Sequence, residues 1–365
     1  MLWSKLFKKA PTEFTLRLQP SGDEMQAKAG ESLLQAALQQ GLPFPHNCRV
    51  GGCGECKCKL VSGQVKELTD KSYLLSAEEL KSGYILACQS RPKSDVVVEV
   101  ALRAGAVQHP AVESPGRIAA LKPLTADIVH VQVELERDMP FSAGQYAEFR
   151  VPAAVGAPEG TTRSYSFASA PKADQARSVD FYIRKVPGGL FTEWLFHRAQ
   201  VGDTVTLNGP QGQFGYVPGT EPMLCIAGGS GLAPIKSVLE QAIADRQANR
   251  PLLIVLGVRT QADLYGLDEI DQVRRQWGGR FQFAPVLSAE PQGSSWTGLR
   301  GMVADHLPGL LGHALADQAA WMCGPPPMID ACSAVLQKAG VPPARIRYDK
   351  FLDASHLAGA APPAA

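Results

Sequence analysis

The stretch His46–Cys58, HNCRVGGCGECKC, decides how the N-terminal part of this chain is built. Cys48, Cys53 and Cys56 read C-x4-C-x2-C, and a fourth cysteine, Cys88, follows a few tens of residues later. That spacing is the plant-type [2Fe–2S] pattern, in which four thiolates hold one cluster. Gly51, Gly52 and Gly54 allow tight turns and close approach of the main chain, since no Cβ stands in the way. The N–H groups such turns expose can donate to the cluster's sulfurs and tune its potential. Zinc fits less well, because a second C-x2-C pair or histidines at ligand spacing are lacking and only His46 lies nearby. Disulfides would require an oxidising compartment. Cys58 lies on an alternating, strand-like stretch and reads as a small packing residue, with a substitute-ligand role as the alternative.

Working outward, 365 residues suffice for two or three domains. A hydrophobic content of 45% with 19% charged residues is that of a globular protein able to bury real cores. A formal net charge of +1 implies no polyanionic partner, so no nucleic acid is expected. No apolar run reaches membrane-span length, so no integral membrane segment is expected. The N-terminal MLWSKLFKKA lacks the long apolar core of a secretory signal and reads as a frayed terminus, with a short amphipathic surface anchor as the alternative. Eight cysteines without such a signal fit a reducing cytoplasm, and a monomer is expected.

Residues 12–103 form one expected unit. TEFTLRLQP alternates as a strand, GESLLQAALQQG has helical spacing and a glycine stop, and DVVVEVAL is a β-branched closing strand. A strand through Leu60 and a loop carrying SAEEL lie between them, which together make a β-grasp sheet. Residues 104–115 read as a linker. Over 116–218, short strands punctuated by Gly and Pro predict an antiparallel β-barrel, with GLFTEWLFHRA as its one helix. From 219 to 355 strands alternate with helices, the grammar of a parallel α/β sheet, with AAWMCGPPPMI read as a strand into a proline turn. Residues 356–365 are low-complexity and read as a disordered tail.

Candidate chemistry sits at strand ends. Arg163 can fork onto a diphosphate, Tyr165 offers a ring face and a hydroxyl, and Ser166 can donate to a ring nitrogen. Gly188-Gly189-Leu190-Phe191-Thr192 opens the barrel's helix, where N–H donors favour an anion. Gly228-Gly229-Ser230-Gly231 follows an apolar strand and precedes a helix, the context of nucleotide phosphate binding. Gly324-Pro325-Pro326-Pro327 ends a later strand at the same sheet edge, with Cys323 beside it.

These motifs, CRVGGCGEC with Cys88, RSYSFASAP, FYIRKVPGG, GPQGQFG, IAGGSGLAPIKS, VRTQADLY, CGPPPMI and YDKF, occur in one order. Over residues 12–353 the chain resembles the ferredoxin–NAD(P)H reductase superfamily, in the subgroup with an N-terminal [2Fe–2S] domain that includes the reductase components of Rieske dioxygenases and di-iron monooxygenases. The resemblance implies that Arg163, Tyr165, Ser166, Ile183, Arg184, Gly189, Leu190 and Thr192 bind FAD, Ser166 near flavin N5, with Phe351 covering the flavin. It implies that Gly229, Ser230 and Gly231 cradle the nicotinamide cofactor's diphosphate, and that Cys323, Gly324 and Pro325 shape the pocket of its reactive ring. Ser166 and Cys323 are then the expected catalytic residues. Arg259 and Asp263 follow the second α/β strand and carry both signs, which leaves the choice open; the resemblance implies NADH, as in relatives with this segment, with NADPH as the alternative. The implied reaction moves hydride from NADH to FAD and then single electrons through the cluster to an oxygenase or hydroxylase component, or to an intermediary ferredoxin. Glu55 would lower the cluster's potential if ionised, or serve as a docking contact. A deoxysugar dehydratase or membrane desaturase as acceptor, and a redox sensor without turnover, are the alternatives.

Overall fold

The computed structural model describes residues 11–46, 49–52, 54–100, 102, 109–152, 155–158, 160–172 and 174–351, which fall into two compact units divided between Gln108 and His109. The first contains strands β1 (Glu13–Gln19) and β2 (Glu24–Lys28), helix α1 (Leu33–Gln39), strands β3 (Lys57–Ser62) and β4 (Val65–Glu67), helix α2 (Ala77–Lys81), and strands β5 (Tyr84–Leu86), β6 (Ser90–Pro92) and β7 (Val96–Glu99). The main sheet runs β2-β1-β7-β3-β5, with β1 and β7 parallel, while β4 and β6 pair separately. Alternation in β1 turns Leu16 and Leu18 inward, where they meet Leu33, Phe44, Val96 and Val98. Ser32 caps α1 by accepting from the Gln35 N–H, and the Gln35 side chain returns to the Ser32 N–H. SAEEL, expected as a loop, is helical instead, because Ser76 and Glu79 close the same capping box at α2. Cys58 is buried in this core beside Cys56 and Cys88, and burial pushes its thiol up to about 12.

The second unit opens with the barrel: β8 (Val112–Pro123), β9 (Ile128–Leu135), β10 (Tyr146–Arg150), β11 (Thr162–Ser166), β12 (Ser178–Arg184), α3 (Leu190–His197) and β13 (Thr204–Gln211). Strand β8 starts at Val112, inside the stretch expected as linker, because residues from Val112 on pair with β13. The antiparallel order is β11-β10-β13-β8-β9-β12, and the two end strands approach at a Phe167–Phe181 bridge, which nearly closes the barrel. Phe149, Phe167, Phe181 and Phe191 fill it, with Phe149 edge-on to Phe181 at 4.8 Å.

The α/β part comprises β14 (Met223–Gly228), α4 (Leu232–Ala244), β15 (Leu252–Val258), α5 (Leu267–Gln276), β16 (Phe281–Leu287), β17 (Leu299–Arg300), α6 (Val303–Leu311), β18 (Ala319–Gly324), α7 (Pro326–Lys338) and β19 (Ile346–Lys350). The sheet is parallel in the order β17-β16-β15-β14-β18-β19. Every residue of β14 is buried, as a strand covered on both faces must be. Cys225 and Ala227 join the core under α4 and α5, while Leu224 and Ile226 join the core under α6 and α7. The prolines expected to form a turn instead start α7, since proline at a first helical position sacrifices no helical hydrogen bond. Helix α4 also pins the barrel: Lys236 Nζ donates to the Ala168 carbonyl at 3.0 Å, and Ser237 Oγ donates to the Ser169 carbonyl at 2.7 Å. Among the described residues no helix is long and apolar enough to cross a membrane.

Candidate functional site

Strand order reverses beside β14, whose partners β15 and β18 lead to opposite halves of the sheet. Ligands of open α/β sheets bind at the carboxyl ends of strands at such a switch point. Here two glycine-bearing loops meet main chain against main chain. A Cβ on Gly231 would lie 2.1 Å from the Cys323 carbonyl oxygen, and one on Gly324 would lie 3.0 Å from Gly228. Gly229 is left-handed, with φ +53°, and the buried Tyr265 donates its hydroxyl to the Gly229 carbonyl at 2.8 Å. Tyr265 lies in the VRTQADLY segment and had no expected role; it fixes the glycine loop that Gly229, Ser230 and Gly231 form.

A cleft of about 460 Å³ opens there, lined by Gly228, Gly229, Gly257, Pro325 and Met328 from the sheet edge and by Asp127 and Arg184 from the barrel. Arg259, directly after β15, also lines it. The Arg259 guanidinium donates to Asp127 at 2.9 Å and to Asp263 at 2.8 Å, and Arg184 donates to the same Asp127 oxygen at 3.2 Å. Arg184, expected on the flavin side, therefore reaches the cleft of the α/β sheet.

The barrel's expected residues separate by face. Arg163 is exposed on β11 and donates to its neighbour Thr162's carbonyl, leaving other N–H groups directed to solvent or ligand. Tyr165 packs edge-on to Phe149 at 5.5 Å and against Phe191 at 5.6 Å. Ile183 is fully buried in the barrel core, so its side chain is not available to a ligand. Gly189 caps α3 without a side-chain hydrogen bond to the first turn, and Leu190 is exposed. Thr192, by contrast, spends its hydroxyl on the turn, accepting from the Val186 N–H at 3.1 Å. A Cβ on Gly189 would lie 2.8 Å from that hydroxyl, so glycine and threonine together set the loop.

Where barrel and α/β sheet meet, Ser166 Oγ donates to Asp349 Oδ2 at 3.4 Å, and both residues are buried. Asp349 pairs with Cys323 across the β18–β19 ladder. Burial, then the Asp349 charge, holds the Cys323 thiol well above its ordinary range, so it stays protonated. Asp349 belongs to YDKF, where only Phe351 was expected to act. Phe351 is half-buried and donates its N–H to the Gly324 carbonyl at 2.9 Å.

In the first unit Cys56 and Cys88 are buried together, with the Cys88 N–H directed at Cys56 Sγ at 3.5 Å. Cys48 and Cys53 lie outside the described residues. Two adjacent buried sulfurs, one already receiving an N–H, suit a thiolate-held cluster. The exposed Arg163, the uncapped start of α3 and the glycine cradle likewise suit dinucleotides.

Three family models match in succession: a 2Fe-2S iron-sulfur cluster binding domain over residues 16–93, an oxidoreductase FAD-binding domain over 116–216, and an oxidoreductase NAD-binding domain over 225–334. The xylene/toluene monooxygenase electron transfer component of Pseudomonas putida is 42% identical over 93% of this chain and 94% of its own. The chain belongs to the ferredoxin–NAD(P)H reductase family with an N-terminal [2Fe–2S] domain. The reductase is also 35% identical to the aromatic O-demethylase reductase subunit of an Amycolatopsis species, over 93% of this chain and 100% of that one. Among solved structures, an Amycolatopsis cytochrome P450 reductase superposes with a TM-score of 0.76 at 34% identity, covering 93% and 98% of the two chains. The reductase is thus an NAD(P)H oxidoreductase with binding domains for FAD and a [2Fe–2S] cluster.

Proposed function

We propose that the reductase supplies electrons from NADH to the hydroxylase of a multicomponent aromatic or hydrocarbon oxygenase. The observation that carries this is the 42% identity to a xylene/toluene monooxygenase electron transfer component, together with the buried cluster of Ser166, Asp349 and Cys323 at the seam of barrel and sheet. Bound FAD would supply the exchange between two-electron and one-electron chemistry, with a [2Fe–2S] cluster as the one-electron carrier. The residues of this chain position and insulate. Gly231 and Gly324 let the main chain approach the dinucleotide, and the uncharged Cys323 thiol packs in the core behind that main chain. Asp349 holds the Ser166 hydroxyl and its proton in a fixed direction, in a buried place where water is excluded. Arg163 and the first turn of α3 receive the flavin diphosphate. Cys48, Cys53, Cys56 and Cys88 hold the cluster.

The test combines the purified full-length protein with NADH and the hydroxylase of a toluene-type monooxygenase. Toluene-dependent NADH oxidation coupled to hydroxylated product is expected. Rapid ferricyanide reduction without any coupled hydroxylation would refute the oxygenase partner and leave the reductase intact. The likeness to a cytochrome P450 reductase structure supports a second reading, a haem monooxygenase as acceptor, which the same assay separates by supplying that protein instead.

A further inference from the structure

The cleft's ion pairs carry information about which dinucleotide it accepts. Discrimination in open α/β folds falls on the residue after the second strand, where a carboxylate suits a free ribose 2′-hydroxyl and an arginine suits a 2′-phosphate. Arg259 occupies that place, at the end of β15. Taken alone it would mark the phosphorylated cofactor.

Arg259 is not alone. Its Nη2 lies 2.9 Å from Asp127 and 2.8 Å from Asp263. Asp263 is itself held by the Thr260 N–H at 2.9 Å and the Thr260 hydroxyl at 3.0 Å, so it cannot swing away without uncapping its own turn. Asp127 comes from the β8–β9 hairpin of the barrel, 132 residues earlier. It is anchored by the Thr125 hydroxyl at 3.0 Å and by Arg184 at 3.2 Å. The four side chains carry two positive and two negative charges, a formal sum of zero. A 2′-phosphate brings about two negative charges, and it would meet two fixed carboxylates that already balance the Arg259 charge.

We propose that Asp127, with Asp263, offsets the charge of Arg259 and thereby weakens its hold on a 2′-phosphate, making this barrel residue a determinant of selection for NADH over NADPH. The inference rests on the reading of the cleft as the nicotinamide dinucleotide site. A free ribose 2′-hydroxyl is neutral, so the two fixed carboxylates do not repel it, and Asp263 can accept from it. Selection then depends on a residue outside the α/β part, which explains why the segment VRTQADLY carries both signs without contradiction.

The test measures binding of 5′-AMP and of adenosine 2′,5′-bisphosphate to the full-length protein by calorimetry, with the kcat/KM ratio for NADH and NADPH alongside. Asp127→Asn keeps the oxygen that accepts from Thr125 and removes the charge. It is expected to tighten the bisphosphate by on the order of tenfold, the size expected for one unit charge at a part-exposed site, and to shift the kcat/KM ratio toward NADPH by a similar factor. Binding of 5′-AMP should change by no more than about twofold. Adding Arg259→Ala to Asp127→Asn should erase the gain, which assigns it to that guanidinium. Asp263→Asn provides a second route should Asp127→Asn fail to fold, with the same direction expected. Unchanged bisphosphate affinity in both single variants, with 5′-AMP still bound, overturns the proposal alone. Failure of the folded wild type to bind either nucleotide overturns the reading of the cleft, and the proposal with it.

Discussion

Replacing Gly231 by alanine tests the interlocked loops directly. Its backbone is ordinary, φ −61° and ψ −11°, so alanine meets no dihedral strain. The obstacle is steric: the new Cβ would stand 2.1 Å from the Cys323 carbonyl oxygen, against about 3.4 Å for ordinary contact, a shortfall of about 1.3 Å. Neither side can retreat easily. Cys323 is hydrogen-bonded between β14 and β19, and Gly231 begins α4, whose Lys236 and Ser237 pin the barrel. Overpacking of this kind costs about 2 kcal/mol, which lowers the melting temperature of a unit this size by about 4–8 °C. Four of the five tryptophans, Trp194, Trp277, Trp296 and Trp321, lie in that unit, so fluorescence of the full-length protein follows its melting. A displacement near 1 Å between nicotinamide and flavin sites slows transfer by about a hundredfold, read by stopped-flow flavin absorbance after mixing with NADH. Gly229→Ala is the contrast, because its Cβ would find open space apart from Arg184 at 3.8 Å and would suffer only the left-handed φ of +53°, about 1–2 kcal/mol. A Gly231→Ala protein that melts within about 1 °C of wild type and reduces flavin at an unchanged rate would refute the close contact, given the size of the expected shift.

Cys56→Ser should remove the iron–sulfur absorption and one-electron transfer while the flavin spectrum and NADH–ferricyanide activity remain; retention of the cluster band would disprove the ligand assignment. Ser166→Ala and Asp349→Asn should each slow flavin reduction by at least about tenfold with little change in NADH affinity if the lost contact lies at the reacting ring as proposed; an equal rise in KM with unchanged kcat would contradict that placement. At Asp180 burial raises the carboxyl's pKa, but the hydrogen bond and charge of His130 and the Lys236 charge outweigh it and leave it depressed. A depressed carboxyl stabilises above its unfolded value and loses that contribution as pH falls through the folded one, so Asp180→Asn should cost about 2 kcal/mol in urea unfolding at neutral pH and progressively less below about pH 4. A constant difference across that range would refute the ionic contribution.

Order and type of elements were legible because they follow from short-range pattern. The cysteine spacing, the alternation of β1 and the strand–glycine–helix run at Gly228–Gly231 each declare themselves within a dozen residues. Thr192 was legible as part of a helix start, but that its hydroxyl stabilises the turn itself was not. SAEEL carried a readable capping signal that its brevity concealed. Asp349 and Asp127 left no local trace. A single carboxylate gains meaning only from what folding brings to it, and their partners Ser166 and Arg259 lie 183 and 132 residues away. Ile183 illustrates the converse, since the strand position beside the cleft-lining Arg184 points to the opposite face and is buried.

The last strand of the sheet, β19, delivers Asp349 to a barrel serine made much earlier in the chain. During synthesis the barrel emerges complete with Ser166 while Asp349 is still unmade. Growing chains and C-terminal truncations ending before residue 349 therefore share one property. They can present the barrel without the carboxylate that holds Ser166, so full activity certifies that synthesis has passed residue 349.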